Sequence, residues 1–273
     1  MTADAKPLLL GTRVPAQAVI EELMAVQRLV PPRTWLQRVF GANPLAPESL
    51  PWYKGALGEI TVGRTLEGLG PEWLVLHAIP VGKGSSDIDH LLVGPAGVFT
   101  VNTKNHSGQS VWVAGRTLMV AGRKTRHLYN AAYEAARASK LLSAAVGTAV
   151  DVTGMVVVVD PQSLTIKSQP DQVVVVRERQ LLGWLGRRRR ELGPSEVARI
   201  AEAALLAQTW HRTPVRGGDP EALQQGFHAL RLLVEQARRR RAAWALGLPA
   251  LGFVMLTNSA HWGAAILQAL AGR

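Results

Sequence analysis

The chain has no cysteine among its 273 residues. That excludes a disulfide framework and thiolate metal sites, and it fits a reducing compartment. Histidine is sparse, with seven residues, and no two stand in the HxxxH spacing that puts two imidazoles on one helix face, so zinc has little support. Aromatic residues make up only 5%. The tryptophans are scattered, not grouped into the stacking platforms that single-strand binders carry. Within residues 1–12 the longest apolar stretch runs only from Pro7 to Leu10, so no secretory signal is expected.

Hydrophobic residues are plentiful at 47%, enough to build a sizeable core. Lys and Arg exceed Asp and Glu by 31 to 20, a net charge of +11. A balance of that size favours polyanionic partners, either nucleic acid or an anionic membrane surface. Arginine-rich composition also accompanies a GC-rich genome, and composition alone does not locate a patch.

Residues 14–30 have the periodicity of a helix, with Pro15 at its start and Pro31-Pro32 as its stop. The proline-bearing stretch 31–51 is a connector. A helix is expected over 53–69, then strands at 73–79, 88–93 and 97–104, with a turn at 82–86. A hairpin over 110–113 and 117–120 precedes a helix at 130–146. The β-branched runs at 153–159 and 172–176 suit strands covered on both faces, and helices follow at 178–186 and 194–211. The order predicts an α/β fold, a mixed β-sheet flanked by helices.

After Pro214 a Gly-Gly-Asp-Pro break leads to a helix over 220–241 that ends in Arg238 to Arg241. The C-terminal segment 242–272 has no acidic residue, lysine or arginine. A window over 242–262 has the length of a membrane span, and the arginines before it would hold the preceding domain on the cytoplasmic side of the cell membrane. The alternative is an apolar helical hairpin covering a core or a dimer interface. The expected units are an N-terminal helix and connector at 1–51, a main domain at 52–212, a linker and basic helix at 213–241, and the apolar segment at 242–273.

Side chains alternate along a strand, so Thr100, Asn102 and Lys104 share one face while Phe99, Val101 and Thr103 share the other. On the preceding strand Asp87 and Asp89 share a parity, and a short connection makes the two strands antiparallel neighbours. Carboxylates beside a lysine suit metal-assisted phosphodiester hydrolysis, in which the acid holds a hard cation and the lysine stabilises developing charge. Asp87 alone also reads as a turn cap, and Lys104 alone as a strand leaving the core. Glu59 falls on the apolar stripe of Val62, Leu66 and Leu69, an unusual place for a charge. It is either a second metal carboxylate or a first-turn glutamate favoured by the helix dipole. Gly55 and Gly58 would let its helix approach the sheet closely.

GALGE at 55–59 and SDIDHLLVGPAGVFTVNTKN at 86–105, in that order, resemble the nuclease-related domain family of the PD-(D/E)xK nuclease superfamily. The resemblance spans roughly 52–185. It implies a nuclease-like fold, with Glu59 as the helix glutamate, Asp89 as the metal-binding aspartate and Lys104 as the catalytic lysine, and with Mg²⁺ or Mn²⁺ as cofactor. The chain departs from the pattern at Asn102, where the family commonly has a carboxylate. A neutral oxygen there weakens cation binding. Either Asp87 supplies the missing carboxylate, or substrate phosphate completes the shell, or the domain binds nucleic acid without cutting it. The expected function is thus a DNA endonuclease-like phosphodiesterase with a weakened metal site. The alternative is a non-catalytic nucleic-acid-binding or membrane-associated scaffold. Arg116, Arg123, Lys124 and Arg126 are candidates for phosphate contact, or they form an ordinary solvated hairpin.

Overall fold

The structure, a computed structural model, describes residues 9–82, 87–211 and 218–271. The turn expected at 82–86 lies mostly outside the described residues, as do Pro214 and Gly217, whereas Gly218 to Pro220 of the expected break are described. Helices α1 (Gln17–Gln27), α2 (Trp35–Val39) and α3 (Ser49–Leu66) come first. Strands β1 (Leu74–Pro80), β2 (Asp87–Gly94) and β3 (Gly97–Asn105) follow, then β4 (Ser110–Ala114), β5 (Thr117–Val120) and the short β6 (Arg123–Lys124). Helix α4 (His127–Val146) leads to β7 (Val152–Val159), β8 (Ser163–Ser168) and β9 (Val173–Arg177). Helices α5 (Leu181–Gly186), α6 (Pro194–Leu205), α7 (Ala207–Trp210) and α8 (Pro220–Ala271) complete the chain.

Two mixed sheets result. The larger has the order β1-β2-β3-β7-β9, an antiparallel meander joined at β3 to the parallel strands β7 and β9. The smaller has the order β6-β5-β4-β8, with β8 parallel to β4. The mixed α/β architecture agrees with the expectation, whereas the second sheet was not anticipated beyond its β4–β5 hairpin.

Strand alternation distributes the core. Phe99 and Val101 of β3 join Leu92, Met155 and Val157 against Val62 and Leu66 of α3. On the opposite face Val98, Leu91 and Val93 meet Ala138 and Leu142 of α4, with Ile200 and Ala204 of α6 behind them. The end residues of β7, from Gly154 to Val159, are all buried, as expected of a strand covered on both faces. A separate cluster packs Ile20 and Leu23 of α1 with Tyr53 and Ala56 of α3 and Phe227 and Leu230 of α8.

Helix α4 crosses β7 at a glycine. A Cβ on Gly154 would lie 2.7 Å from the Ala131 carbonyl oxygen and 3.3 Å from Ala135 Cβ. The near atom is helix backbone, so the helix must move. Gly154→Ala should therefore lower the unfolding free energy in urea by ~1–3 kcal/mol and displace the α4 turn that carries Glu134. An unchanged denaturation midpoint would contradict this packing.

The C-terminal expectation needs correcting. Helix α8 runs on through 242–262 without a break, so this segment is not a hairpin. Among the described residues no helix is long and apolar enough to cross a membrane. Within the Arg238–Arg241 run, Arg240 Nη1 donates to the Arg38 carbonyl at 2.7 Å, fastening α8 to α2.

Candidate functional site

The β1–β2–β3 meander is irregular at one place, and that place is Asp89. Strands β2 and β3 pair from Gly94↔Gly97 as far as His90↔Val101. Between β1 and β2 the register steps from His77↔His90 to Ile79↔Ile88, passing over Ala78 and Asp89. Ala78 is left-handed at φ 47°, a conformation that costs a non-glycine residue on the order of 1–3 kcal/mol. The Arg13 side chain holds this residue, donating from Nε to the Ala78 carbonyl at 2.6 Å. On the other side Asp89 Oδ2 accepts the backbone N–H of Thr103 at 2.6 Å. A side-chain carboxylate thus stands where a strand partner would be, and β2 and β3 part around it.

Asn102 shares the α4 side of β3 with Val98 and lines a cleft there with Asp87. Alternation breaks in β2 at Asp89: Ile88 packs in one cluster with Leu91 and Val93, which have the opposite parity. Helix α4 adds a residue that the motif reading missed. Glu134 Oε2 accepts from Asn102 Nδ2 at 3.2 Å. Glu59 comes from α3, on the opposite face of the sheet, and is 5% exposed. Its helix can come close because Gly58 has no side chain: a Cβ there would sit 3.0 Å from Asn105 Cβ and 3.3 Å from Thr103 Cγ2. Gly55 does not serve that purpose, since it faces Val19 of α1.

Four carboxyls and a lysine therefore influence one another across the sheet edge. Burial pushes Glu59 well above its ordinary value, and Asp89 and Asp87 push it further. Burial raises Asp87 to about 7, reinforced by Asp89 and opposed by Arg13 and Lys104. Glu134 rises to about 8, again through burial and then Asp89. Burial raises Asp89 as well, opposed by Lys104 and the Thr103 N–H. The Lys104 charge favours the ionised form of all four; its Nζ donates to the Thr103 carbonyl at 3.1 Å.

Glu59 Oε2, Asp87 Oδ2, Asn102 Oδ1 and Glu134 Oε1 are buried without a hydrogen-bond partner among the described residues. Orphaned oxygens of this kind are costly unless a proton, a cation or a ligand meets them. Asp87, Asn102 and Glu134 line a cleft of about 280 Å³ whose rim carries Tyr133 and Arg137. The donors are all hard oxygens, the chemistry that suits Mg²⁺ or Mn²⁺. Among the described residues, however, no three His, Cys, Asp or Glu side chains are gathered tightly enough to hold a metal ion as they stand.

Two imidazole pairs lie nearby. His106 Nε2 and His127 Nε2 are 3.2 Å apart at the end of β3, and His77 Nδ1 and His90 Nδ1 are 2.8 Å apart between β1 and β2. Burial holds His77 and His127 down to about 4 and His90 well below its usual range. The four basic candidates sit together at the small sheet. Arg116 is in the β4–β5 turn, Arg123 and Lys124 form β6, and Arg126 precedes α4, all exposed. Among the described residues none of them has a salt-bridge partner. Of the Arg187–Arg190 run, Arg188 pairs with Glu191 at 3.1 Å.

Fold and site together define an α/β protein with an acidic cleft beside the parted strands β2 and β3 of a mixed sheet. Residues 54–159 match the nuclease-related domain family, a range that contains Glu59, Asp87, Asp89, Asn102, Lys104 and Glu134. Over that range the chain is similar to the nuclease-related domain, a family whose general context is the PD-(D/E)xK superfamily. It is also similar to the uncharacterized protein pXO1-01 of Bacillus anthracis, 33% identical over 103 residues. That match covers 36% of this chain and 42% of the relative, less than half of either. No solved structure matches the chain significantly.

Proposed function

We propose that this chain is a nucleic-acid phosphodiesterase, acting on DNA with the help of Mg²⁺ or Mn²⁺. One observation carries the reading: four mutually repelling carboxyls are gathered inside the protein with one lysine, and three of them have an oxygen that no described residue satisfies. A folded chain sustains such an arrangement when a ligand offsets its cost. Asp89 and Glu59 would hold the cation, with Asp87, Glu134 and the Asn102 amide oxygen completing the set. A bound divalent cation would polarise the phosphodiester and lower the pKa of the attacking water.

The protein's own groups would do the rest. The Thr103 N–H fixes the Asp89 carboxylate in one orientation, so it meets a cation without reorganisation. The Asn102 amide steers Glu134 by donating to it. Lys104 would face the phosphate as negative charge grows on its oxygens. Arg116, Arg123, Lys124 and Arg126 would bind the backbone alongside.

The test is cleavage of supercoiled and linear DNA by the full chain in Mg²⁺ or Mn²⁺, with EDTA as the control. Metal-dependent nicking is the expected result. A second reading, a module that binds nucleic acid without cutting it, draws support from Asn102: its amide is engaged with Glu134, and the carboxylates are not gathered into a cation cage. DNA binding without cleavage by the wild type, together with cleavage by Asn102→Asp, would decide for that second reading.

A further inference from the structure

The outward face of α4 carries two tyrosines. Tyr129 is 60% exposed and Tyr133 62% exposed. Single exposed aromatics are ordinary, but these two are arranged. They are one helical turn apart, their rings lie within 13° of parallel, and their centroids are 6.5 Å apart. That separation is close to twice the roughly 3.4 Å step between successive nucleotides of a strand.

Cations accompany the rings. The Arg126 guanidinium lies 4.8 Å from the Tyr129 centroid, and Arg116 shares with Tyr129 a cleft of about 360 Å³. Tyr133 stands beside Arg137 on the rim of the acidic cleft that Asp87, Asn102 and Glu134 line. One helix face therefore runs from the basic small sheet, across two parallel aromatic rings, to the candidate site.

We propose that this face is a stacking platform for unpaired nucleobases, and that the chain's nucleic-acid ligand is single-stranded. The inference rests on the nucleic-acid reading above and specifies its substrate. In a duplex the faces of the bases are covered by their neighbours, and only their edges are open in the grooves. Exposed parallel tyrosines have nothing to stack on there. A single strand offers base faces to the rings and phosphates to Arg116 and Arg126, in the manner of single-strand binders that pair aromatic platforms with basic grooves. A strand stacked over Tyr129 and Tyr133 is led by its own spacing into the cleft.

The experiment measures binding of the full chain, in EDTA to prevent cleavage, to three labelled probes. These are a DNA single strand of about 16 nucleotides, the upper range of single-strand site sizes, its duplex, and an oligomer of the same length made of abasic sites. The phosphates are common to all three, but only the single strand has free base faces. Wild-type protein should bind the single strand at least tenfold more tightly than the other two. The Tyr129→Ala/Tyr133→Ala variant should bind the single strand roughly 5- to 100-fold more weakly and the abasic oligomer as before. Tyr129→Phe/Tyr133→Phe keeps the rings and should keep the preference. Both positions are on the surface, and thermal melting of each variant verifies the fold. Equal affinity of the wild type for the single strand and the abasic oligomer would overturn the inference while leaving the nucleic-acid reading in place. An undiminished single-strand preference in the alanine variant would do the same. Binding to none of the three would overturn both.

Discussion

Replacing Lys104 with methionine should lower metal-dependent DNA cleavage by about 100- to 1000-fold, the usual effect of removing a group that stabilises transition-state charge. Methionine keeps most of the side-chain volume and removes the ammonium group. The expected loss is in turnover, since the proposed phosphate and base contacts lie elsewhere. Lys104→Arg should recover part of the rate, because it restores a cation but with a planar fork in place of a point charge. The measurement is single-turnover cleavage in Mg²⁺ beside DNA affinity in EDTA. A methionine variant that cleaves as fast as the wild type would remove Lys104 from the chemistry. A variant that loses affinity and rate together would make Lys104 a phosphate anchor instead.

The second large effect is a loss of stability on the alkaline side in the absence of metal. A carboxyl whose folded value exceeds its unfolded one stabilises fully below the unfolded value, and that contribution fades as pH climbs to the folded value. For Asp87 the interval runs from 3.8 to about 7, and for Glu134 from 4.5 to about 8. The buried imidazoles act with the opposite sign. His77 and His127 are held near 4 against an ordinary 6.5, so they add stability as pH rises through that interval and nothing above it. The two sets oppose each other up to pH 6.5, and beyond it the carboxyls act alone. Between pH 6.5 and 8 Glu134 by itself contributes a fall on the order of 2 kcal/mol, at about 1.4 kcal/mol per pH unit. The melting temperature in EDTA should therefore drop from pH 6.5 to 8. Glu134→Gln should flatten the drop, and millimolar Mn²⁺ should reverse part of it. A melting temperature that stays level over this range, in wild type and variant alike, would mean that these carboxyls are not buried together.

Much of this site was legible because alternation and helical periodicity are local rules. Counting residues along two strands brought Asp87 and Asn102 together, and the structure lines one cleft with both. Glu59 was found as a charge on an apolar stripe, and the structure buries it. The same rule applied to α4 would have found Glu134, which lies between Ala131 and Ala138 on the buried stripe of that helix. Arg13 had no such signal, because its partner Ala78 is 65 residues away and the contact exists only once the chain has folded. Strand β8 was missed because SLTIKS is polar and half-exposed, without the β-branched run that marked β7.

The division of labour along β3 has a consequence for how such a chain can diverge. Phe99 and Val101 hold the α3 side of the sheet, while Asn102 and Lys104 belong to the other. A change of charge at position 102 asks nothing of Phe99 or Val101, and a change of volume at 99 or 101 leaves the amide and the ammonium in place. Folding and the proposed chemistry are thus separately heritable properties of one nine-residue strand. A lineage can change the charge and the amide on one side by single substitutions while the architecture passes on intact.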